Sequence, residues 1–424
     1  MDNQGRKSHH NFPKFLPRSN GIITLLLLCL LWGWFSPSHA LTIRGSLITQ
    51  GKGYQDLEQN DHFIVAQGLR FHCENIGSDA LSFHGYLQYY GDTSSDPTVT
   101  GTMRVYHGYL NYERTATPLR FKAGRFFLFR GVAIGVLDGA EVSYRLNRQW
   151  ELTGFGGYQG PLNREWEFAH ASESPMYGGE IRWQPNIPNV IKHPVVSLSY
   201  TQQDRDQETI RQLMGVSLRF RLLEHWQVLN VLHLRMSGNP FRRALTRWHY
   251  TDEQWQIRTE AAYVVPNVAD YSWFSNFEGG GYFRLRAAVE HYFTPRKWGL
   301  GISTLMYGSD EYGLQLGPVL IFPYGRAGYH FSSGNQAHNN TWWGFFRISP
   351  VSYLDLYTYA AIMEFEWQDM AIDAQETTMM NAGFAFRPPF LNRTEWKLEC
   401  QNYQTPQLDA DRRIIASFRW NFEY

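Results

Sequence analysis

The chain has 424 residues, with 39 Lys and Arg against 39 Asp and Glu, and 16% of it is aromatic. Zero formal net charge excludes a nucleic-acid binder driven by bulk charge, and a low charged fraction beside so many rings excludes a disordered chain. A mean hydropathy of −0.41 argues against a bundle of membrane-spanning helices, leaving one large β-rich domain or ~2–3 ordinary ones.

The first 20 residues carry Arg6, Lys7, Lys14 and Arg18 against a single acid, Asp2. An apolar run follows from Ile22 to Leu31, and small residues stand at −3 and −1 in Ser38-His39-Ala40. This layout predicts a secretory signal peptide over residues 1–40, cleaved after Ala40. Even extended to Phe35, the run falls short of the ~20 residues that a spanning helix needs. Cys29 follows Leu27-Leu28 rather than small residues, which argues against a lipoprotein site. Beyond the leader only Cys73 and Cys400 remain. An oxidising compartment would permit them to pair, but two isolated cysteines make no disulfide framework. No Cys-x-x-Cys-His and no zinc spacing occurs, so no cofactor is expected.

From residue 41 onward, alternation with period two recurs in blocks of about 9–13 residues separated by turn-rich breaks. Gly91-Asp92, Asp138-Gly139, Gly238-Asn239-Pro240 and Arg387-Pro388-Pro389 read as such breaks. Longer polar insertions fall near 160–175, 265–280 and 333–340. In chain order, Leu119, Phe121 and Ala123 oppose Arg120 and Lys122. Met214, Val216, Leu218, Phe220 and Leu222 oppose Gly215, Ser217, Arg219 and Arg221. Phe283, Leu285, Ala287, Val289, His291 and Phe293 oppose Arg284, Arg286, Ala288, Glu290 and Tyr292. Trp396, Leu398 and Cys400 oppose Glu395, Lys397 and Glu399. Successive strand side chains point to opposite faces, so each block has one largely apolar and one polar face.

A soluble sandwich also alternates, but its aromatics need not gather at strand ends. Here Tyr89-Tyr90, Phe126-Phe127, Tyr292-Phe293 and Trp342-Trp343 close their blocks. A spanning barrel alternates apolar-out and polar-in over ~10-residue strands with aromatic girdles, and closure removes edges that lipid cannot satisfy. We therefore expect an all-β chain: a leader, then a single transmembrane antiparallel β-barrel over 41–424, with an even strand number near 18 within 16–22.

The last segment, Ile414 to Tyr424, alternates Phe418, Trp420, Phe422 and Tyr424 with Ser417, Arg419, Asn421 and Glu423. It resembles the terminal strand of Gram-negative outer-membrane β-barrels, which the barrel assembly machinery reads as a signal. Phe422 and Tyr424 match that pattern, while Arg419 stands where a glycine is common. Over Leu41 to Tyr424 the chain resembles large outer-membrane porins in general architecture. Ala123-Gly124-Arg125-Phe126-Phe127, continuing to Leu137-Asp138-Gly139, looks like a strand–loop–strand block of porin-like proteins. It reads equally as a glycine-eased turn with a lumen-facing arginine.

The resemblance implies an outer-membrane location, contact with outer-membrane lipid and lipopolysaccharide, and passage of ions or small hydrophilic solutes. Arg120, Lys122, Arg219, Arg221, Arg284, Arg286, Glu290 and Arg419 would then line the pore and bias which ions pass, or else simply brace the wall. Two other functions fit the residues. A barrel can sheathe a multihaem cytochrome that carries electrons outward. Alternatively, His330-Phe331-Ser332 resembles the His-x-Ser element of outer-membrane lipid hydrolases, with His330 as base for Ser332 on one strand face. The same spacing recurs at His170-Ala171-Ser172, and no orienting third residue is identifiable.

Overall fold

The computed structural model describes residues 41–424 except 57–59, 95–100, 116, 162, 165–173, 188–189, 206–207, 237–240, 266–279, 295–297, 309–311, 335–336, 368–374 and 406–407. The leader, the break at Gly238-Asn239-Pro240 and His170-Ala171-Ser172 lie outside the described residues.

The described residues form 22 strands. The first eleven are β1 (Thr42–Gln55), β2 (Asp61–Glu74), β3 (Leu81–Asp92), β4 (Thr102–Glu113), β5 (Leu119–Arg130), β6 (Ala133–Arg145), β7 (Trp150–Gln159), β8 (Pro175–Trp183), β9 (Ile191–Arg205), β10 (Glu208–Leu222) and β11 (Trp226–Arg235). The rest are β12 (Phe241–Thr251), β13 (Trp255–Val264), β14 (Tyr282–Thr294), β15 (Trp298–Gly308), β16 (Tyr312–Phe322), β17 (Gly325–Ser333), β18 (Ala337–Val351), β19 (Leu354–Trp367), β20 (Gln375–Phe386), β21 (Thr394–Thr405) and β22 (Leu408–Glu423). Each pairs antiparallel with its neighbours in sequence. β1 pairs with β22 from Arg44–Glu423 to Tyr54–Arg413, so the sheet closes on itself. Closure leaves the described sheet without a first or last strand. Two hydrogen bonds of 2.9 Å between Ile43 and Tyr424 finish the seam.

The barrel is the expected class, with 22 strands rather than about 18. Asp138-Gly139 is not a break but lies within β6, opposite Arg125 and Gly124. Gly91-Asp92 ends β3, and the expected insertion at 333–340 shrinks to residues 334–336 between β17 and β18. Arg387-Pro388-Pro389 does fall between β20 and β21. At the end carrying the termini, the connections are tight and capped by side chains. Asn147 accepts from the backbone amides of Gln149 and Trp150 at 2.8 and 3.0 Å. Asp252 accepts from those of Gln254 and Trp255 at 2.8 and 2.6 Å. Both are Asx turns, which satisfy amides that the ladder leaves open.

The outer face is apolar and exposed, as Phe283, Leu285, Leu198, Val216 and Ile181 illustrate. The inner face carries the charge, mostly in ion pairs. Near the termini Glu423 holds Arg44 and Arg393 at 2.8 and 3.1 Å, and Asp355 holds Arg347 and Arg387 at 2.9 and 3.0 Å. Glu260 pairs with both Arg247 and Arg284. Cys73 on β2 is buried and Cys400 on β21 is exposed.

Candidate functional site in the barrel lumen

One hairpin leaves the wall. β5 and β6 pair in register from Leu119–Tyr144 to the tip at Arg130–Ala133. Lys122 faces Glu141 in that ladder, eight residues below Arg130, so a straight hairpin would hold Arg130 and Glu141 ~26 Å apart. Yet Arg130 donates to both Glu141 carboxylate oxygens, at 2.9 and 2.8 Å. The hairpin has therefore folded back on itself.

Its packing shows where it goes. Phe126, Leu128, Ala133 and Leu137 form a buried cluster with Phe155 of β7 and Met176 of β8. The Val132 amide donates to Ser199 Oγ on β9 at 3.2 Å, and the Arg130 guanidinium lies 3.7 Å from Glu180 on β8. Phe155, Met176, Glu180 and Ser199 belong to the inner wall. The distal half of the hairpin thus lies inside the lumen against β7–β10. Leu137 and Leu128 are 0% and 1% exposed, and full burial of such side chains contributes about 1.5–3 kcal/mol each. The opposite face of the hairpin is left open, with Phe127 59%, Phe129 72% and Ile134 46% exposed. Since the packed face meets the wall, these three project toward the lumen axis.

Local sequence permits the bend. Gly124 has φ +126, and a Cβ there would collide with the Gly108 carbonyl oxygen. β5 stays paired with β4 only up to Gly108–Arg125. Beyond it, β4 is met instead by Arg164, between β7 and β8, since the Val105 amide donates to the Arg164 carbonyl at 2.7 Å. The Arg164 guanidinium also sits 4.5 Å over the Tyr106 ring. At the tip Gly131 has φ +52, and a Cβ there would strike the Ser199 side chain. Both positions need glycine.

Arg125 marks the point of departure. Its guanidinium grips Asp138 at 2.6 and 2.7 Å, and both residues are buried. The expected lumen-facing arginine is instead enclosed with a carboxylate. Phe126-Phe127, read as a strand-end pair, is divided: Phe126 is buried under the hairpin and Phe127 points away from it.

The remaining expected pore residues fall on inner-face positions. Arg120 pairs with Glu151 at 2.5 Å, and Lys122 lies 3.6 Å from Glu141. Arg284 bonds Glu260, and Glu290 accepts from Arg326 at 3.0 Å and from Tyr292 at 2.6 Å. Arg286 stands opposite Glu260 in the ladder. Arg219 and Arg221 are exposed in line with Ser217. Arg419, opposite Glu395, lines a cavity of about 330 Å³ beside the turn between β20 and β21. Phe418, Trp420, Phe422 and Tyr424 follow one another on the other face of the last strand, with successive ring contacts of 5.5 and 6.1 Å between the last three. His330 and Ser332 share a face of β17, but no hydrogen bond joins them. The His330 ring packs against Trp343 at 5.7 Å. Among the described residues no group of His, Cys, Asp or Glu is arranged to hold a metal.

Sequence reasoning missed Arg130, Glu141 and Glu180, which hold the hairpin inside. A signal existed: Phe126-Phe127-Leu128-Phe129 is apolar on both faces, unlike the alternating blocks.

No protein-family profile matches the chain, and no curated protein matches it. Solved structures do. The P pilus usher PapC translocation pore aligns with a TM-score of 0.50 at 10% identity, covering 90% of this chain and 99% of that one. OpdK of Pseudomonas aeruginosa, solved with vanillate, aligns at 0.45 and 8% identity, over 90% and 99%. OccAB3 of Acinetobacter baumannii aligns at 0.42 and 10% identity, over 91% and 99%. At such identities the likeness concerns the fold: the chain has the closed antiparallel barrel of outer-membrane proteins.

Proposed function

We propose that this chain is an outer-membrane channel through which ions or small hydrophilic solutes diffuse passively, with the β5–β6 hairpin as its constriction. The observation that carries this reading is the closed 22-strand wall with a polar, ion-paired inner face. Barrels above ~16 strands enclose more space than wall side chains can fill, and the interior holds water or a plug. Among the described residues the inner element is a hairpin docked on one side, against β7–β10. It narrows the lumen and sets Phe127, Phe129 and Ile134 along the path. In this reading the exposed apolar outer face meets outer-membrane lipid and lipopolysaccharide, and the leader directs export.

Reconstitution of refolded protein in planar bilayers tests it. Discrete conductance steps are expected, larger in a variant that frees the hairpin. Silence from protein that shows a heat-modifiable gel shift would remove the channel reading, leaving a plugged barrel or a cytochrome sheath.

A further inference from the structure

Many arginines of the inner wall meet a carboxylate, but a cluster of four on β10–β12 does not. Arg211 of β10 stands opposite Gln203, Arg235 of β11 opposite Leu213, and Arg243 of β12 opposite His233. Arg242 is the extra residue where the β11–β12 register shifts between His233 and Leu234. The four are half-buried. Arg242 lies within electrostatic reach of Arg211, Arg235 and Arg243, and His233 lies within the same reach of Arg243, Arg242 and Arg211. Arg211 Nε, Arg242 Nη1 and Arg243 Nε are buried without a hydrogen-bond partner. No carboxylate among the described residues pairs with any of the four.

The placement is specific. Gln203, Leu213, Gly215 and His233 continue the inner-wall face that Ser199 and Ser217 define. A Cβ on Gly215 would touch Val132 at the hairpin tip and also His233, so the arginines sit next to the constriction. An arginine presents planar forks of donors suited to two oxygens at once, and like charges gathered without counter-charge create a strong local field for anions. Because the cluster is on the inner wall, membrane lipid head groups do not reach it; a solute in the lumen does.

We propose that Arg211, Arg235, Arg242 and Arg243 form a binding site for small multivalent oxyanions, phosphate- or carboxylate-bearing solutes, beside the hairpin tip. The proposal rests on the channel reading for the route by which solute arrives, and not for binding itself.

Isothermal titration of the detergent-solubilised full chain at low salt, with inorganic pyrophosphate and with citrate as probes, tests it. Saturable binding of pyrophosphate is expected, weakening as salt rises. The double variant Arg242→Gln, Arg243→Gln should lose about tenfold or more in affinity. Arg219→Gln with Arg221→Gln, lower on β10, should leave it unchanged. If the first variant does not give the heat-modifiable form, Arg242→Lys with Arg243→Lys retains charge without the fork and should bind measurably more weakly than the parent. Citrate binding at the same site extends the class to carboxylates; pyrophosphate binding alone confines it to phosphates. Absence of pyrophosphate binding by the parent chain, or equal loss in both Gln pairs, overturns the proposal. Conductance is read separately: steps without binding leave the channel standing and remove the site, and binding without steps does the reverse.

Discussion

Arg125 and Asp138 face each other across the β5–β6 ladder, both buried, with two parallel hydrogen bonds of 2.6 and 2.7 Å. The pair stands beside Gly124 and Gly139, where the hairpin turns from the wall into the lumen. Arg125 Nη1 also points to the Val105 carbonyl at 3.5 Å, on the strand that β5 abandons. The fork therefore ties the two strands together where β4 pairing ends. A bidentate pair suits this task because it fixes orientation as well as distance.

Breaking one partner should be costly, because it leaves the other charge buried and unpaired. Asp138→Asn keeps the shape, removes the charge, and should destabilise the fold by ~3–5 kcal/mol. The urea midpoint of the heat-modifiable gel shift should fall accordingly. An unchanged midpoint would mean that the pair is not buried in the membrane-inserted protein.

Arg130 acts at the other end of the hairpin, as a latch to Glu141. Hydrogen bonds to charged groups contribute about 1.5–3 kcal/mol, so Arg130→Gln should shift the docked hairpin toward the undocked state by roughly ten- to a hundredfold. Single-channel conductance should rise. Glu141→Gln should do the same, and the double variant should add little, because the two residues share one interaction. Additive effects would indicate that each acts through something else.

The apolar dock beneath the hairpin gives an independent handle. Leu137→Ala removes a side chain that is 0% exposed and should cost ~2–5 kcal/mol, loosening the same element without touching a charge. Protease cleavage between residues 126 and 137 should accelerate relative to the parent. By contrast Phe129→Ala, at 72% exposure, should leave protection intact while changing conductance.

The wall was legible in the sequence because lipid and lumen impose opposite chemistry on alternate residues. Phe283–Phe293 with Arg284 and Glu290 shows this plainly, and the structure puts the charges in ion pairs within the barrel. Strand number was underestimated where that contrast fades. β7 contains Thr153-Gly154-Phe155-Gly156-Gly157, with too few large outer side chains to alternate. The hairpin was illegible for a different reason. Folding inward turns its inner-facing residues onto the wall, so Phe126 and Leu128 are apolar where the pattern demands polar. Asp138-Gly139 looked like a turn because glycine and aspartate usually make one, whereas here they serve a bend within a continuing ladder. The arginines of β10–β12 come from three separate strands and only the register assembles them.

The closing strand carries the last prediction. Phe422 and Tyr424 follow Trp420 on one face of the chain end. The Phe422 ring lies over Gly45 of β1, where a Cβ would collide with it, and Tyr424 completes the seam through two backbone bonds to Ile43. An aromatic ring at the interface buries apolar area while its polar edge stays wet. Phe422→Arg should therefore cost up to ~2–4 kcal/mol, less if it sits at the membrane rim, and deletion of Tyr424 removes the seam bonds outright. Both should lower the yield of heat-modifiable protein extracted from outer membranes. Asn421→Ala loses only a 3.3 Å side-chain bond to the Arg393 carbonyl and should insert normally. Glu423→Ala is a sharper control, since Glu423 pairs with Arg44 and Arg393. It should insert normally yet unfold at lower urea, separating recognition of the aromatic face from stability of the closed seam. Wild-type yield from both Phe422→Arg and the Tyr424 deletion would show that the terminal strand is not the assembly signal.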